Sequence, residues 1–202
     1  MDFIEKDVRL YIYVHLILNR KMAKKDIVKL DEILRSLGMD PDISSFDSRL
    51  RIQKTVYILQ AMGVDLKYPF EFYKGGHGVY SKELADDYYH IQERLNEEKP
   101  LNDHDRFLSG AEKKKLERFR KMGHHDLKML EAVSSIIYLD LTYGYQEDVV
   151  ERIRKIKLHL GHDITLSAQN NAKILLFNES NLTNEIKDEM KLWDTLNDSS
   201  NN

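Results

Sequence analysis

Between residues 67 and 81 the chain reads KYPFEFYKGGHGVYS, and this stretch interrupts an otherwise helical sequence. Phe70 and Phe72 alternate with Glu71 and Tyr73, the two-residue period of a strand with one buried face. Gly75, Gly76 and Gly78 supply a turn, and Val79 and Tyr80 resume β character. The pattern predicts a short hairpin. Ser81 then caps a helix over 82–96 that carries Leu84, Ala85, Tyr88, Ile91 and Leu95 on one face.

Working outward, Ser45 or Asp47 caps a helix over 47–62 with Leu50, Val56, Tyr57 and Leu59 apolar, and Gly63 ends it. Earlier helices are expected over 3–19 and 24–37, the second closed by Gly38 before a turn at Met39–Asp42. A polar linker over 97–108 precedes Ser109 and Glu112, whose spacing is that of a capping box, and a helix running to about Met122. The most apolar helix, 125–142, carries Leu127, Leu130, Val133, Ile136, Ile137 and Leu141 and is expected at the centre of the core. Further helices are expected over 146–159, 167–177 and 182–196. The fold class is mostly α: a single helical domain with one small β-hairpin in a helix–hairpin–helix core. The expected divisions are an N-terminal helical extension at 1–46, the main domain at 47–177 and an acidic C-terminal helix and tail at 178–202.

With 202 residues the chain is long enough to bury a core without covalent staples. It has no cysteine, which excludes disulfides, Cys nucleophiles and Cys-type zinc sites. Lys and Arg number 31 against 34 Asp and Glu, a balance that argues against a globally basic nucleic-acid binder. Charge is nevertheless patchy: residues 83–105 hold eight acids and two bases, while 111–128 hold seven bases and three acids. This suits solvated helix faces, or a bipolar surface that steers a charged partner. The acidic start at Met1–Asp7 lacks the form of a signal peptide, and the run Leu10–Leu18 is too short to span a bilayer. A cytoplasmic protein with no membrane association is expected.

The chemistry-bearing clusters are weak. Gly75-Gly76-His77-Gly78 sits between a strand and a helix, as in phosphate-cradling loops, but it lacks a GxGxxG or P-loop pattern, and hairpin turn chemistry accounts for the glycines. His159, His162 and Asp163 have a chelating spacing, but Gly161 marks a helix terminus there, where a histidine suits a C-cap. Arg49, Arg51 and Lys54 diverge around a helix and form no single patch. No catalytic residue, cofactor or metal is expected. The helix–hairpin–helix order over 47–96 also resembles half of a winged helix, although the acidic helix after the hairpin would repel phosphates.

The run Leu50-Arg51-Ile52-Gln53-Lys54-Thr55-Val56-Tyr57-Ile58-Leu59-Gln60 resembles the opening helix of the Panacea antitoxin domain and of related YwgA-like proteins. Phe70, Phe72 and Tyr73 stand at the family's aromatic strand, Gly78-Val79-Tyr80-Ser81 at its turn and Leu84 on its next helix. The helix Leu130 to Leu139 is similar to a later family helix. Val79 stands where the family has proline, and the turn is about two residues longer, at Gly76 and His77. The resemblance covers about 47–177 and implies a helical, non-enzymatic module that binds another protein, a toxin in the antitoxin branch. It is also the basis for expecting a phage-defence-associated role. A winged-helix nucleic-acid-binding regulator is the alternative. The partner-binding residues expected are Gln53, Lys54, Tyr57, Tyr73, Tyr80 and Ser81. Gln53, Tyr57 and Gln60 share one helix face, so this helix and the Tyr73–Ser81 turn are expected to touch. A purely structural reading stands beside it. In that reading Tyr57, Phe70, Phe72 and Tyr80 pack the hairpin onto the helix, while Gln53 and Lys54 bond its free carbonyls.

Overall fold

A computed structural model describes residues 27–39, 43–73, 76, 78–96, 107–122, 126–143 and 149–176. The helices expected over 3–19 and 182–196 and most of the 97–108 linker lie outside these residues. Helix α1 is described over 27–36. It is followed by α2 (Phe46–Ala61), strands β1 (Glu71–Tyr73) and β2 (Gly78–Tyr80), then α3 (Lys82–Asn96), α4 (Gly110–Lys121), α5 (Leu127–Tyr143), α6 (Val149–Ile156) and α7 (His162–Leu176). The protein is mostly helical, with one two-stranded antiparallel hairpin, as the periodicity predicts.

Local chemistry sets the helix ends. The Ser45 side chain accepts the Ser48 N–H at 3.0 Å, which makes Ser45 the N-cap of α2. The capping box of α4 is complete. Ser109 Oγ accepts the Glu112 N–H at 3.3 Å, and Glu112 Oε2 accepts the Ser109 N–H at 2.9 Å. Glu112 does more than cap, because its Oε1 also accepts the Asp65 N–H and pairs with buried Lys29 at 2.6 Å. Burial pushes its pKa up, but the hydrogen bonds from Lys29, Ser109 and Asp65 outweigh this and bring it down to about 2.

Helix α5 lies in the core as expected, with Leu130, Val133, Ile136 and Ile137 inaccessible to solvent. Helix α2 shares that position. Its residues Ile52 to Leu59 are buried without a break, so the helix is covered on every side. Leu30, Ile33 and Leu34 of α1 belong to the same apolar cluster, which therefore runs across the expected division at 46/47.

The last two helices among the described residues depart from the expected limits. Helix α6 ends at Ile156, because Lys157 leaves the helix and the chain turns through a Leu160 N–H to Lys157 carbonyl bond of 2.9 Å. Helix α7 starts at His162, earlier than the apolar pattern suggests, with Thr165 Oγ1 donating to the Gly161 carbonyl at 2.8 Å. Gly161 thus precedes a helix start, which overturns its expected place at a helix C-terminus.

Candidate functional site

The hairpin is seated on α2 and α5 through its inner face. Strand pairing sets Glu71 opposite Tyr80, Phe72 opposite Val79 and Tyr73 opposite Gly78. The pleat then sends Phe72 and Val79 inward and Glu71, Tyr73 and Tyr80 outward. Phe72 stacks on Tyr138 of α5 with ring centroids 5.1 Å apart, and Phe70 meets Tyr57 of α2 edge-on at 5.0 Å. Tyr57 also approaches Tyr138, at 6.3 Å. Tyr57, Phe70 and Phe72 therefore perform the packing role. Tyr80 does not: it lies one residue out of phase with Val79 and is exposed on the outer face, 6.2 Å from Tyr73.

Two glutamines seven residues apart on α2 clamp the two ends of the hairpin segment. Gln53 Nε2 donates to the Ser81 carbonyl at 2.8 Å, and Gln53 Oε1 accepts the Ser81 N–H at 2.8 Å. Gln60 makes the same pair of bonds to the backbone of Tyr68, at 2.9 and 3.0 Å. Each amide thereby stands in for a strand partner and satisfies peptide groups that would otherwise be buried unpaired.

Beneath the hairpin lies a buried charge cluster. Lys54 Nζ donates to the Val79 carbonyl at 2.7 Å. Lys157 Nζ donates to the Gly76 carbonyl and lies 2.9 Å from Glu131 Oε1. His159 Nε2 lies 2.9 Å from Glu131 Oε2. Lys54, Lys157 and Glu131 are all buried. Burial lowers the Lys54 pKa to about 7, with Glu131 pulling it back up and Lys157 pushing it further down. Burial raises that of Glu131, but the contacts with His159 and Lys157 outweigh it and leave the carboxyl below its ordinary range. The Ser135 hydroxyl is buried with no hydrogen-bond partner among the described residues. A Cβ at Gly78 would sit 3.0 Å from it. Gly78 has φ +80°, a conformation that glycine adopts freely, so the residue serves both the turn and the close approach to α5.

Outside the hairpin, a groove of about 740 Å³ opens between the first half of α2, the outer face of the hairpin and α3. The rings of Phe46, Tyr73, Tyr80, Tyr88 and Tyr89 line it. Arg49 lies on one side, with Nη1 held by the carbonyls of Ile43 and Ser44 at 2.6 and 3.0 Å and the guanidinium 6.0 Å from the Phe46 ring. Gln53 and Lys54 seal the floor.

The structure thus brings the expected site residues to the α2–hairpin contact, in three different environments. Tyr73 and Tyr80 are exposed on the groove rim. Gln53 and Lys54 lie under it, committed to hairpin backbone groups. Tyr57 and Ser81 are buried, Tyr57 in the aromatic packing and Ser81 at the start of α3, where its Oγ accepts the Leu84 N–H at 3.3 Å. Sequence reasoning missed Glu131, Lys157 and His159 as one cluster. The available signal was the polar interruption of the most apolar helix by Glu131, Ser134 and Ser135. His159, read as a helix cap or chelator, instead faces Glu131.

Compared with protein-family models, curated proteins and solved structures, the chain matches none. No family model supports the likeness to the Panacea and YwgA-like proteins.

Proposed function

We propose that this chain is a non-catalytic protein-binding module of antitoxin-like character and that the groove rim is its contact surface. One observation carries the reading. Of the nine large apolar or aromatic side chains exposed among the described residues, Phe46, Tyr73, Tyr80 and Tyr89 border this one groove. Exposed aromatics gathered around a concave surface are typical of recognition sites, since they bring large contact area at small entropic cost. Beneath them the hairpin is fixed to α2 by hydrogen bonds at both ends and packed on α5 through Phe72 and Tyr138, so the rim is preorganised.

The test is co-expression with the products of neighbouring genes, read out as growth and co-purification. A small toxic product neutralised by the wild-type chain, but not by a Tyr73→Ala/Tyr89→Ala variant of unchanged melting temperature, supports the reading. Salt-sensitive retention on DNA, without capture of any neighbouring product, replaces it with a nucleic-acid-binding one.

A further inference from the structure

The groove's lining is chemically one-sided. Among the described residues it holds five aromatic rings and the Arg49 cation, with buried Lys54 under its floor, and no acidic side chain. The chain as a whole has 34 acidic residues. Helix α3 carries Glu83, Asp86 and Asp87, yet it presents only Tyr88 and Tyr89 to the groove. The volume of about 740 Å³ falls within the range of small-molecule sites.

We propose that this groove binds a small anion with a flat aromatic body, the ring lying among the tyrosines and the anionic group taken by the Arg49 guanidinium. The rings supply stacking surface, the Tyr73 hydroxyl being already donated to Glu71 Oε2 at 2.8 Å. Arg49 supplies a planar cation that matches a carboxylate or phosphate in two-point contact. The Ile43 and Ser44 carbonyls hold its Nη1, so little side-chain freedom remains to be lost on binding. Buried Lys54 lies beneath the floor with its Nζ on the Val79 carbonyl and does not touch the ligand. The ligand shares the rim tyrosines with the proposed protein-binding surface but differs from it in depending on the Arg49 charge, so loss of the charge preference in Arg49→Gln tests this proposal apart from the protein-binding reading.

The experiment is calorimetric titration of the purified full-length chain with two matched pairs: naphthoate against naphthalenemethanol, and AMP against adenosine. The charged member of at least one pair should bind about tenfold more tightly than its neutral partner, the scale of one charge-assisted hydrogen bond. Which pair responds separates an aryl carboxylate from a nucleotide. Arg49→Gln should abolish the preference and Arg49→Lys should restore part of it. Arg49 also supports the chain before α2, so Tyr89→Ala, at the exposed rim, gives a second arm: it should weaken charged and neutral probes alike. Equal binding of charged and neutral members, a preference that survives Arg49→Gln in folded protein, unchanged affinity in Tyr89→Ala, or no binding of any probe at about 1 mM would each overturn the proposal.

Discussion

Lys54 and Lys157 end on the backbone of the same hairpin, Lys54 on the carbonyl of Val79 and Lys157 on that of Gly76, with Glu131 as the carboxylate between them in charge. The hairpin is thus held by buried ammonium groups as well as by its aromatic inner face. Such an arrangement is sensitive to the loss of any one member. The desolvation cost of the remaining charges persists when a partner is removed.

Glu131→Gln should therefore be among the most damaging single changes. It removes the counter-charge of Lys157 while keeping size and polarity. The expected loss is about 3–5 kcal/mol in urea unfolding. Adding Lys157→Met should recover part of it, since the second change removes the stranded charge. Additive losses in the double variant would show that the two side chains act independently.

Lys54 sets a pH dependence. Its folded pKa is about 7, against 10.5 in an unpaired lysine, so between those values the unfolded chain holds more protons than the folded one. Stability from this group is then fully present above about 10.5 and is lost as pH falls through 7. A methionine in place of this lysine has no charge to desolvate. Relative to Lys54→Met, the wild type should gain stability steadily from pH 7 to pH 9, where Tyr57, whose pKa burial raises, does not yet titrate. Parallel melting curves for the two proteins across that range would contradict the assignment.

Gly78 and Gly76 should respond differently to alanine. At Gly78 a side chain meets both the φ of +80° and the Ser135 hydroxyl at 3.0 Å, so Gly78→Ala should cost about 1–3 kcal/mol. At Gly76 the nearest atom to a new Cβ is Tyr73 Cβ at 3.5 Å, an ordinary contact, and Gly76→Ala should stay within about 0.5 kcal/mol. Thermal unfolding of the two variants side by side measures the contrast.

What could be read from the sequence was what depends on near neighbours. The switch from a period of three or four to a period of two located the hairpin, and Ser109 with Glu112 marked a helix start. Burial of Gln53, Lys54 and Thr55 was not legible in the same way. The motif offered hairpin carbonyls as partners for Gln53 and Lys54, but three consecutive polar residues spread around a helix gave no sign that all of them are buried. They are buried because their surroundings come from distant parts of the chain: Ser81 and Val79 lie 28 and 25 positions from Gln53 and Lys54. Glu131 is in the same position. It interrupts an apolar stripe for a reason supplied by Lys157 and His159, beyond the end of its own helix. The groove was legible only in part, since Tyr89 and Phe46 read as scattered aromatics until α2 and α3 set them on one surface.

Two tyrosines separate the packing role of the motif from the recognition role proposed for it. Tyr57 is buried between Phe70 and Tyr138, and truncating it removes an aromatic side chain from a fixed environment. Tyr57→Ala should cost about 3 kcal/mol or more. Tyr73 is 49% exposed, and its hydroxyl donates to Glu71 at 2.8 Å on the surface. Tyr73→Ala loses that bond and the edge contact with Tyr80, both in water, so its melting temperature should stay within a few degrees of the wild type. The same variant removes one ring from the groove wall, where a base or aryl group would stack, and should weaken the tighter aromatic-anion probe several-fold. Tyr57→Ala, measured below its own transition, should affect the probe only to the extent that it unfolds the hairpin seat. An equal loss of stability in the two variants would assign both tyrosines to packing. A stable Tyr73→Ala with undiminished probe binding would remove the rim from the site.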